Sequence, residues 1–250
     1  MRLLPLPGVF QPPSDAWLLA EFLKHERLQR RASVLDLCAG SGVLAIAAAL
    51  EGAADVTAID ISRRAVIAVR LNAWINGVRV EALNGDLFGP VQGRRFDVIV
   101  SNPPYLPGDI RELPRQGLAR AWEGGRSGRE LIGRIGASAR DHLRPDGLLL
   151  LACSSVCDER QTLEALRAGG LQPTVVGRRR GPLGPRLSAR ADWLRKRGLL
   201  FERDEEEILV LRATAATPAE SASPSRGLHR STSSPTPSPG RSAPARGAAW

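Results

Sequence analysis

Short apolar runs separated by polar turns recur along most of the chain. Three runs of five or six mainly apolar residues lie at 33–37, 55–60 and 96–100. Continuous apolar runs of this length are typical of strands that are buried on both faces, as in parallel sheets covered by helices on either side. Segments with helical periodicity follow the first two runs. The pattern therefore predicts an α/β fold with a doubly wound, mostly parallel sheet.

The first half of the chain reads as alternating strands and helices. A first helix is predicted over residues 16–23, with Ser14 or Asp15 as its cap and Trp17 on its buried stripe. Ser62 is placed to cap a later helix that runs to about Asn76. The remaining elements predicted here are strands at 33–37, 55–60, 79–83 and 96–100 and a helix at 43–50.

The second half continues the same pattern after a long loop at 106–129, which is rich in Gly and Arg and is expected to shape an entrance. The run Arg178–Arg180 is interpreted as a solvated loop before the last strand. The elements predicted here are helices at 130–143, 158–168 and 189–197, a turn at 144–147, a strand at 148–153, and a closing antiparallel pair at 172–177 and 206–211.

Three segments are predicted from these shifts in pattern. Residues 1–32 form an N-terminal lid or helix segment, residues 33–213 form the catalytic domain, and residues 214–250 form a disordered tail rich in Ser, Pro, Ala and Arg. The N-terminus lacks the long apolar stretch of a signal peptide, and no run approaches the length that a bilayer requires. A cytoplasmic protein is expected.

Composition narrows the choice of partners. The 250 residues are 43% hydrophobic, enough for one good core, and the net charge of +9 comes almost wholly from Arg. This balance favours acidic partners such as RNA or a ribosome-associated protein. Cys38, Cys153 and Cys157 fit neither a disulfide framework nor a zinc spacing, so buried thiols and no metal are expected.

The loop that follows the fourth predicted strand carries the most informative motif, Ser-Asn-Pro-Pro-Tyr at 101–105. Two prolines fix the backbone and remove two N–H donors, so the chain here is held extended with free carbonyls. Asn102 offers an amide before this rigid turn, and Tyr105 offers a flat face after it. These groups are suited to gripping a planar group that carries an N–H.

A glycine-rich turn between the first strand and the next helix indicates a second partner. Gly40 and Gly42 let the backbone approach a ligand, but the third glycine of a dinucleotide fingerprint is missing. Asp36 would repel a pyrophosphate and attract a cation. Asp60, at the end of the second strand, is placed to hold a ribose, and Asp86 an adenine amino group. An adenosine with a positive charge and no phosphates is S-adenosylmethionine.

These motifs together resemble the HemK/PrmC family of protein N5-glutamine methyltransferases. The resemblance runs from about Val9 to Arg212 and is strongest at 34–42, 85–88, 101–105 and 121–128, and the chain is similar to the short subgroup without the N-terminal helical domain. It implies a class I, Rossmann-like methyltransferase with a seven-stranded sheet and an antiparallel last strand. Cys38 and Ala16 depart from the family, which usually has Gly and Thr there.

The resemblance also implies roles for individual residues. The oxygen of Asn102 and the carbonyl of Pro103 would accept the two hydrogens of the substrate N–H₂, with Tyr105 packed on its plane. Seven residues would contact the cofactor: Asp36, Cys38, Gly40, Gly42, Asp60, Asp86 and Asn102. The implied substrate is a glutamine side chain in a protein such as a translation release factor. A small activating partner is an open option, and a monomer is expected.

Alternatives remain for several of these assignments. The glycines could serve only helix packing, Asp60 could only cap its helix, and Asp86 could be a turn residue. Cys38 is interpreted as a small hydrophobe rather than a nucleophile. An N6-adenine methyltransferase acting on DNA or RNA would use the same motif, because adenine presents the same planar N–H₂. A fold that binds cofactor or RNA without chemistry is the third hypothesis.

Overall fold

The computed structural model describes residues 1–12, 14–26, 32–110, 112–114, 116–200 and 204–215. Within them the strands are β1 (Ser33–Leu37), β2 (Asp55–Asp60), β3 (Glu81–Asn84), β4 (Phe96–Ser101), β5 (Leu143–Ser154), β6 (Leu171–Pro182) and β7 (Glu205–Ala215). The helices are α1 (Ser14–His25), α2 (Val43–Leu50), α3 (Arg63–Ile75), α4 (Glu130–His142), α5 (Glu159–Ala168), α6 (Pro185–Ser188) and α7 (Ala191–Lys196).

The seven strands of the described residues form one sheet in the order β3-β2-β1-β4-β5-β7-β6. Strands β1 to β5 pair in parallel, whereas β7 runs antiparallel to both β5 and β6. This arrangement confirms the predicted doubly wound sheet with an antiparallel last strand. Because β1 lies beside β4, the strand order reverses between them, and such a point is where open α/β sheets bind ligands.

The centre of the sheet is buried on both faces, and residues 148–153 of β5 show why such a stretch is continuously apolar. Leu148, Leu150 and Ala152 face one core cluster, and Leu149, Leu151 and Cys153 face the other. All six are buried. Since successive strand residues point to opposite faces, an unbroken apolar run is what a strand between two helical layers requires.

Two helical layers cover these faces. On one face, α1, α2 and α3 contribute buried residues such as Leu19, Leu44 and Val69. On the other face, α4 and α5 contribute Ile132 and Leu166, and the two short helices α6 and α7 complete this layer. The predicted Ser62 cap is confirmed, because the Ser62 hydroxyl accepts the Ala65 N–H at 3.4 Å, whereas Ser14 and Asp15 both lie inside α1.

The largest correction concerns strand lengths in the second half. The predicted turn at 144–147 is part of β5, and the predicted loop Arg178–Arg180 is part of β6. The charged run is held as a strand because β7 pairs with it along its whole length and supplies carboxylates. Arg178 contacts Glu159 and Glu207, at 2.7 and 3.2 Å. This long-range pairing has no local signal in the sequence.

Smaller differences occur at both ends of the chain. Trp17 is 40% exposed and does not form the buried stripe of α1, which consists instead of smaller residues including Leu19 and Leu23. The helix predicted at 189–197 is present as α7, at Ala191–Lys196, and the short helix α6 before it was not predicted. Strand β7 continues to Ala215, two residues into the predicted tail, and the disorder predicted for 216–250 lies outside the described residues.

Among the described residues, none of the helices has both the length and the apolar character needed to cross a bilayer.

Candidate active site

A large cavity of about 1590 Å³ opens at the carboxyl ends of the central strands. The end of β4 is tied to the end of β1 there, because the Ser101 hydroxyl donates to the Leu37 carbonyl at 2.9 Å. The chain leaves β4 immediately afterwards as the Asn-Pro-Pro-Tyr loop. Residues predicted as functional that line this cavity are Cys38, Gly40, Asp60, Asp86, Asn102, Pro103 and Tyr105.

Asn102 has a polarised environment at the cavity wall. Its Nδ2 lies 3.4 Å from the Oδ2 of Asp15, and its Oδ1 is buried without a hydrogen-bond partner among the described residues. The hydroxyl of Tyr105 donates to the same carboxylate oxygen of Asp15. Burial and the adjacent Asp15 raise the pKa of Tyr105 well above its usual value, so this hydroxyl stays protonated.

Asp60 organises the backbone around the glycine-rich turn. Its Oδ2 accepts the Gly40 N–H at 2.9 Å, and its Oδ1 accepts the Ser62 N–H at 2.8 Å. Burial raises the pKa of Asp60, and these two N–H donors act in the opposite direction. The carboxylate holds the N–H of Ser62, which is itself the cap of α3, and also lines the cavity, so Asp60 is not the helix cap.

Asp36 and Gly42 were predicted to contact the cofactor, and neither lines the cavity. The alternation of β1 turns Asp36 toward α2, where its Oδ2 accepts the Ala45 N–H at 3.0 Å. Burial raises the pKa of Asp36 to about 8, so the group is largely neutral at pH 7. Gly42 has φ of 86°, and a Cβ there would lie 3.2 Å from Val69. Both residues support the turn from behind.

Cys38 and Asp86 reach the cavity in different states. Burial, with the carboxylates of Asp60 and Asp36, raises the pKa of the Cys38 thiol, so the thiol is not a nucleophile. Asp86 is half-exposed and pairs with Arg134 at 2.6 Å. Its carboxylate can accept a hydrogen bond from an adenine amino group either beside Arg134 or after this surface ion pair opens.

The start of the long loop after the Asn-Pro-Pro-Tyr motif is hydrogen-bonded to its second half. Leu106 donates to the Trp122 carbonyl at 2.8 Å, and Gly124 donates back to Leu106 at 2.9 Å. The Trp122 ring lies 4.1 Å from the guanidinium carbon of Arg186. This confirms that the loop shapes the entrance. An aromatic and cationic wall results, with Phe10 beside both groups.

Sequence reasoning missed two contributors to the site. Asp15 was considered only as a helix cap, although it is 4% exposed and contacts both polar side chains of the motif. Burial is not visible in a sequence, where the only available signal was an acidic residue at the start of a mainly apolar helix segment. Arg186 was not singled out, since nothing near it in the sequence indicates that a segment beyond β6 reaches the cavity.

The residues present fit S-adenosylmethionine. A Cβ at Gly40 would have no neighbour within 4 Å, so the turn leaves open space on its cavity side. Asp60 keeps acceptor capacity beyond its two backbone contacts, as a ribose requires. The free Oδ1 of Asn102 faces the same cavity and can accept a hydrogen bond.

Comparisons with known proteins identify methyltransferases as relatives of this chain. The family model described as Methyltransferase small domain matches residues 1–114. A protein of Methanocaldococcus jannaschii, whose name places it among protein N5-glutamine methyltransferases, is 34% identical over 176 residues. That match covers 70% of this chain and 87% of the relative.

Bacterial relatives are longer. The release factor glutamine methyltransferase of Shewanella oneidensis is 37% identical, over 56% of this chain and 51% of its own length. The ribosomal protein uL3 glutamine methyltransferase of Burkholderia pseudomallei is also 37% identical, over 58% and 52%. This chain therefore spans about half the length of these two relatives.

Solved structures show the same fold. The E. cuniculi Mtq2-Trm112 complex, whose title describes methylation of the termination factor eRF1, includes a chain with 23% identity and a TM-score of 0.56. The match covers 84% of this chain and 99% of that one. Because the M. jannaschii relative is matched over most of its length, this chain belongs to the family of protein N5-glutamine methyltransferases (HemK/PrmC), whose cofactor is S-adenosylmethionine.

Proposed function

We propose that this chain methylates the Nε2 of a glutamine side chain in a translation release factor. The observation that carries the proposal is the amide of Asn102. Its Nδ2 is directed at Asp15, and its buried Oδ1 is left as an acceptor at the cavity wall. A planar N–H₂ group placed against this oxygen would satisfy it, and an amide of glutamine has that shape.

The acceptor nitrogen needs to be oriented because its lone pair is delocalised into the carbonyl. An amide nitrogen is a poor nucleophile unless it is held in line with the group it attacks. Asn102 would hold one hydrogen, and the carbonyl of Pro103 would hold the other. The buried ring of Tyr105 would pack against the amide plane, while its hydroxyl remains bound to Asp15.

When bound, S-adenosylmethionine supplies a methyl group on a positively charged sulfur. Asp60 and the backbone at Gly40 would hold its ribose and approach its amino-acid portion, and Asp86 would hold its adenine. Asn102 would direct the acceptor toward the methyl. The excess proton of the methylated amide can leave after transfer, so no charged base is required beside the nitrogen.

The test is transfer of a labelled methyl group to defined acceptors. We expect label in a purified release factor, and a mass increase located by peptide mass spectrometry on one glutamine. Purified uL3 and an adenine-rich oligonucleotide serve as parallel acceptors, with Asn102→Ala as the matched inactive enzyme. Label confined to uL3 would replace the release factor as substrate. Label confined to the oligonucleotide would overturn the glutamine assignment in favour of adenine.

We also propose that a small partner protein binds the face of α3. Ile67, Leu71 and Trp74 follow one another at helical spacing, and their exposed fractions are 50%, 40% and 79%. This stripe lies next to β3, which is an edge strand of the sheet within the described part of the chain and so can pair with another chain. A contiguous exposed apolar patch of this kind is typical of an interaction site.

The related Mtq2 chain, solved in complex with Trm112, supports a small protein as the occupant. A purified candidate partner of this type should raise turnover of the wild-type chain. It should bind the Trp74→Ala variant at least about 10-fold more weakly. Trp17→Ala, on α1, is the matched control because Trp17 is also exposed and lies on another helix. A stripe that instead mediates self-association would give a dimer by light scattering, without any partner.

A further inference from the structure

Asp15 is a buried carboxylate that joins two residues far away in the chain. It lies in the first turn of α1 and is 4% exposed. One of its oxygens, Oδ2, accepts the hydroxyl of Tyr105 and lies 3.4 Å from the Nδ2 of Asn102. These partners are 90 and 87 positions later in the sequence. The N-terminal helix is thus connected to both ends of the Asn-Pro-Pro-Tyr loop.

The contact with Asp15 has a consequence for the amide of Asn102. An ionised carboxylate can only accept hydrogen bonds, whereas an asparagine amide has one donating end and one accepting end. Rotating the amide by half a turn would bring the two oxygens of Asn102 and Asp15 together, which is unfavourable. The carboxylate therefore selects the orientation in which Nδ2 faces Asp15 and Oδ1 faces away.

We infer that Asp15 is a positioning residue that sets the amide orientation of Asn102 and so keeps its oxygen available to the target N–H. The inference rests on the proposed function only in so far as the acceptor presents a planar N–H₂. The Tyr105 hydroxyl donates to the same oxygen and holds the carboxylate in place. Catalytic geometry at the end of β4 would then depend on the seating of α1.

A direct role for Asp15 in holding the cofactor makes different predictions, since Asp15 also lines the cavity. A residue that contacts the cofactor should weaken its binding when removed. A residue that acts through Asn102 should lower turnover, leave cofactor affinity unchanged, and lose its effect once Asn102 is gone. A double-mutant cycle separates the two cases.

The experiment measures turnover and cofactor affinity for Asp15→Ala, Asn102→Ala and the double variant. We expect Asp15→Ala to lower kcat by about 10-fold, with cofactor Kd within about 2-fold, and to add little in the Asn102→Ala background. Asp15→Asn keeps one acceptor oxygen and should recover part of the loss. Tyr105→Phe, which leaves the Asp15 contact with Asn102, should cost less than Asp15→Ala. Losses that multiply in the double variant, or weakened cofactor binding, would overturn the inference.

A second measurement needs no substrate. In protein labelled with ¹⁵N at asparagine, the cross-peaks absent from Asn102→Ala identify the Asn102 side chain. Its N–H₂ should exchange slowly with solvent in the wild type and at least about 10-fold faster in Asp15→Ala, because the carboxylate acceptor is lost. Unchanged exchange would reject the contact. This result stands whether glutamine or adenine proves to be the methyl acceptor.

Discussion

Glu123 and Arg190 form a bidentate ion pair that joins the loop after β4 to the segment between α6 and α7. One guanidinium nitrogen of Arg190 lies 3.0 Å from the Oε2 of Glu123, and the other contacts its Oε1. Arg190 also donates to the carbonyl of Pro107 at 2.9 Å. The Glu123 side chain is only 8% exposed. The entrance loop is therefore fixed to a distant element by a largely desolvated pair.

Replacing Arg190 by Met should destabilise the protein. Removal of one partner of a fully buried pair leaves an unpaired charge and costs roughly 3–5 kcal/mol. Arg190 is 27% exposed, so roughly 2–3 kcal/mol is expected. Arg195→Met is the matched control, because its partners Asp192 and Asp204 are exposed and such pairs contribute about 0–1 kcal/mol. Chemical denaturation of both variants checks the difference, and equal losses would contradict it.

Adding one methyl group at Gly124 should disturb the Asn-Pro-Pro-Tyr loop at Tyr105, against which Gly124 packs. A Cβ there would lie 2.7 Å from the Cα of Tyr105 and from the Gly128 carbonyl, closer than backbone contacts allow. Gly124→Ala should lower the free energy of unfolding by roughly 2 kcal/mol and reduce turnover, because Tyr105 must move. Gly133→Ala, within α4 and with nothing inside 4 Å, should instead gain roughly 0.5–1 kcal/mol. If both variants unfold like the wild type, the close packing at Gly124 is wrong.

The buried Asp36 should make stability fall as pH rises. Its pKa is raised from an ordinary 3.8 to about 8, so between these values the folded state holds a proton that the unfolded state has lost. The free energy of unfolding then declines by up to about 1.4 kcal/mol per pH unit from about pH 4 upward, and the loss is complete above pH 8. Asp36→Asn, neutral and of the same shape, should remove this slope. Denaturation midpoints from pH 5 to 9 test the sign, and a wild type that gains stability over this range would disprove it.

The central strands and the position of the site could be predicted from the sequence for a physical reason. Strands buried on both faces are mainly apolar, so β1, β2 and β4 are visible locally, and Asn102 must then lie where β4 ends. The exception at β6 follows from the same reasoning. From the sequence, the charged Arg178 and Arg180 are expected in a solvated loop. In the structure they form ion pairs with Glu207 and Glu205 of the neighbouring strand β7.

The direction of individual side chains was the second feature that could not be predicted from the sequence. Asp36 lies on β1 as predicted, but its carboxylate points to α2 and away from the cavity, a matter of strand alternation that depends on which layer covers which face. Asp15 was missed because its partners lie about ninety positions away. Local patterns locate such residues on an element, and only the packed layers determine what they contact.

Removing the carboxylate of Asp60 should weaken cofactor binding. A lost charged hydrogen-bond acceptor costs on the order of 2 kcal/mol, or roughly 30-fold in Kd, for Asp60→Ala. Asp86→Ala should cost less, about 5-fold, because Asp86 is half-exposed and already paired with Arg134. Calorimetric titration measures both affinities, with melting temperatures recorded because Asp60 also holds the N–H groups of Gly40 and Ser62. An Asp60→Ala protein that is folded and binds normally would remove Asp60 from the site.

Substitutions at Asn102 separate transfer from cofactor binding. Asn102→Ala should lower turnover by about 10²-fold or more, the scale of losing one positioned group at a reacting centre, while cofactor affinity barely changes. The reason is that Asn102 follows β4, whereas Gly40, Asp60 and Asp86 follow the neighbouring strands.

Asn102→Asp is the sharper variant because it keeps an oxygen acceptor and places a second carboxylate about 3.4 Å from Asp15. Two carboxylates at that distance cannot both ionise easily, so the pair would share a proton and its upper pKa would rise. The shared proton would lie between the two facing oxygens, whereas above the upper pKa both groups ionise and their repulsion would turn the side chain away from its working position. Transfer should therefore fall, most strongly above that pKa, while cofactor affinity measured by calorimetry is retained. Wild-type rates in both variants on a verified acceptor would show that Asn102 is only a loop residue.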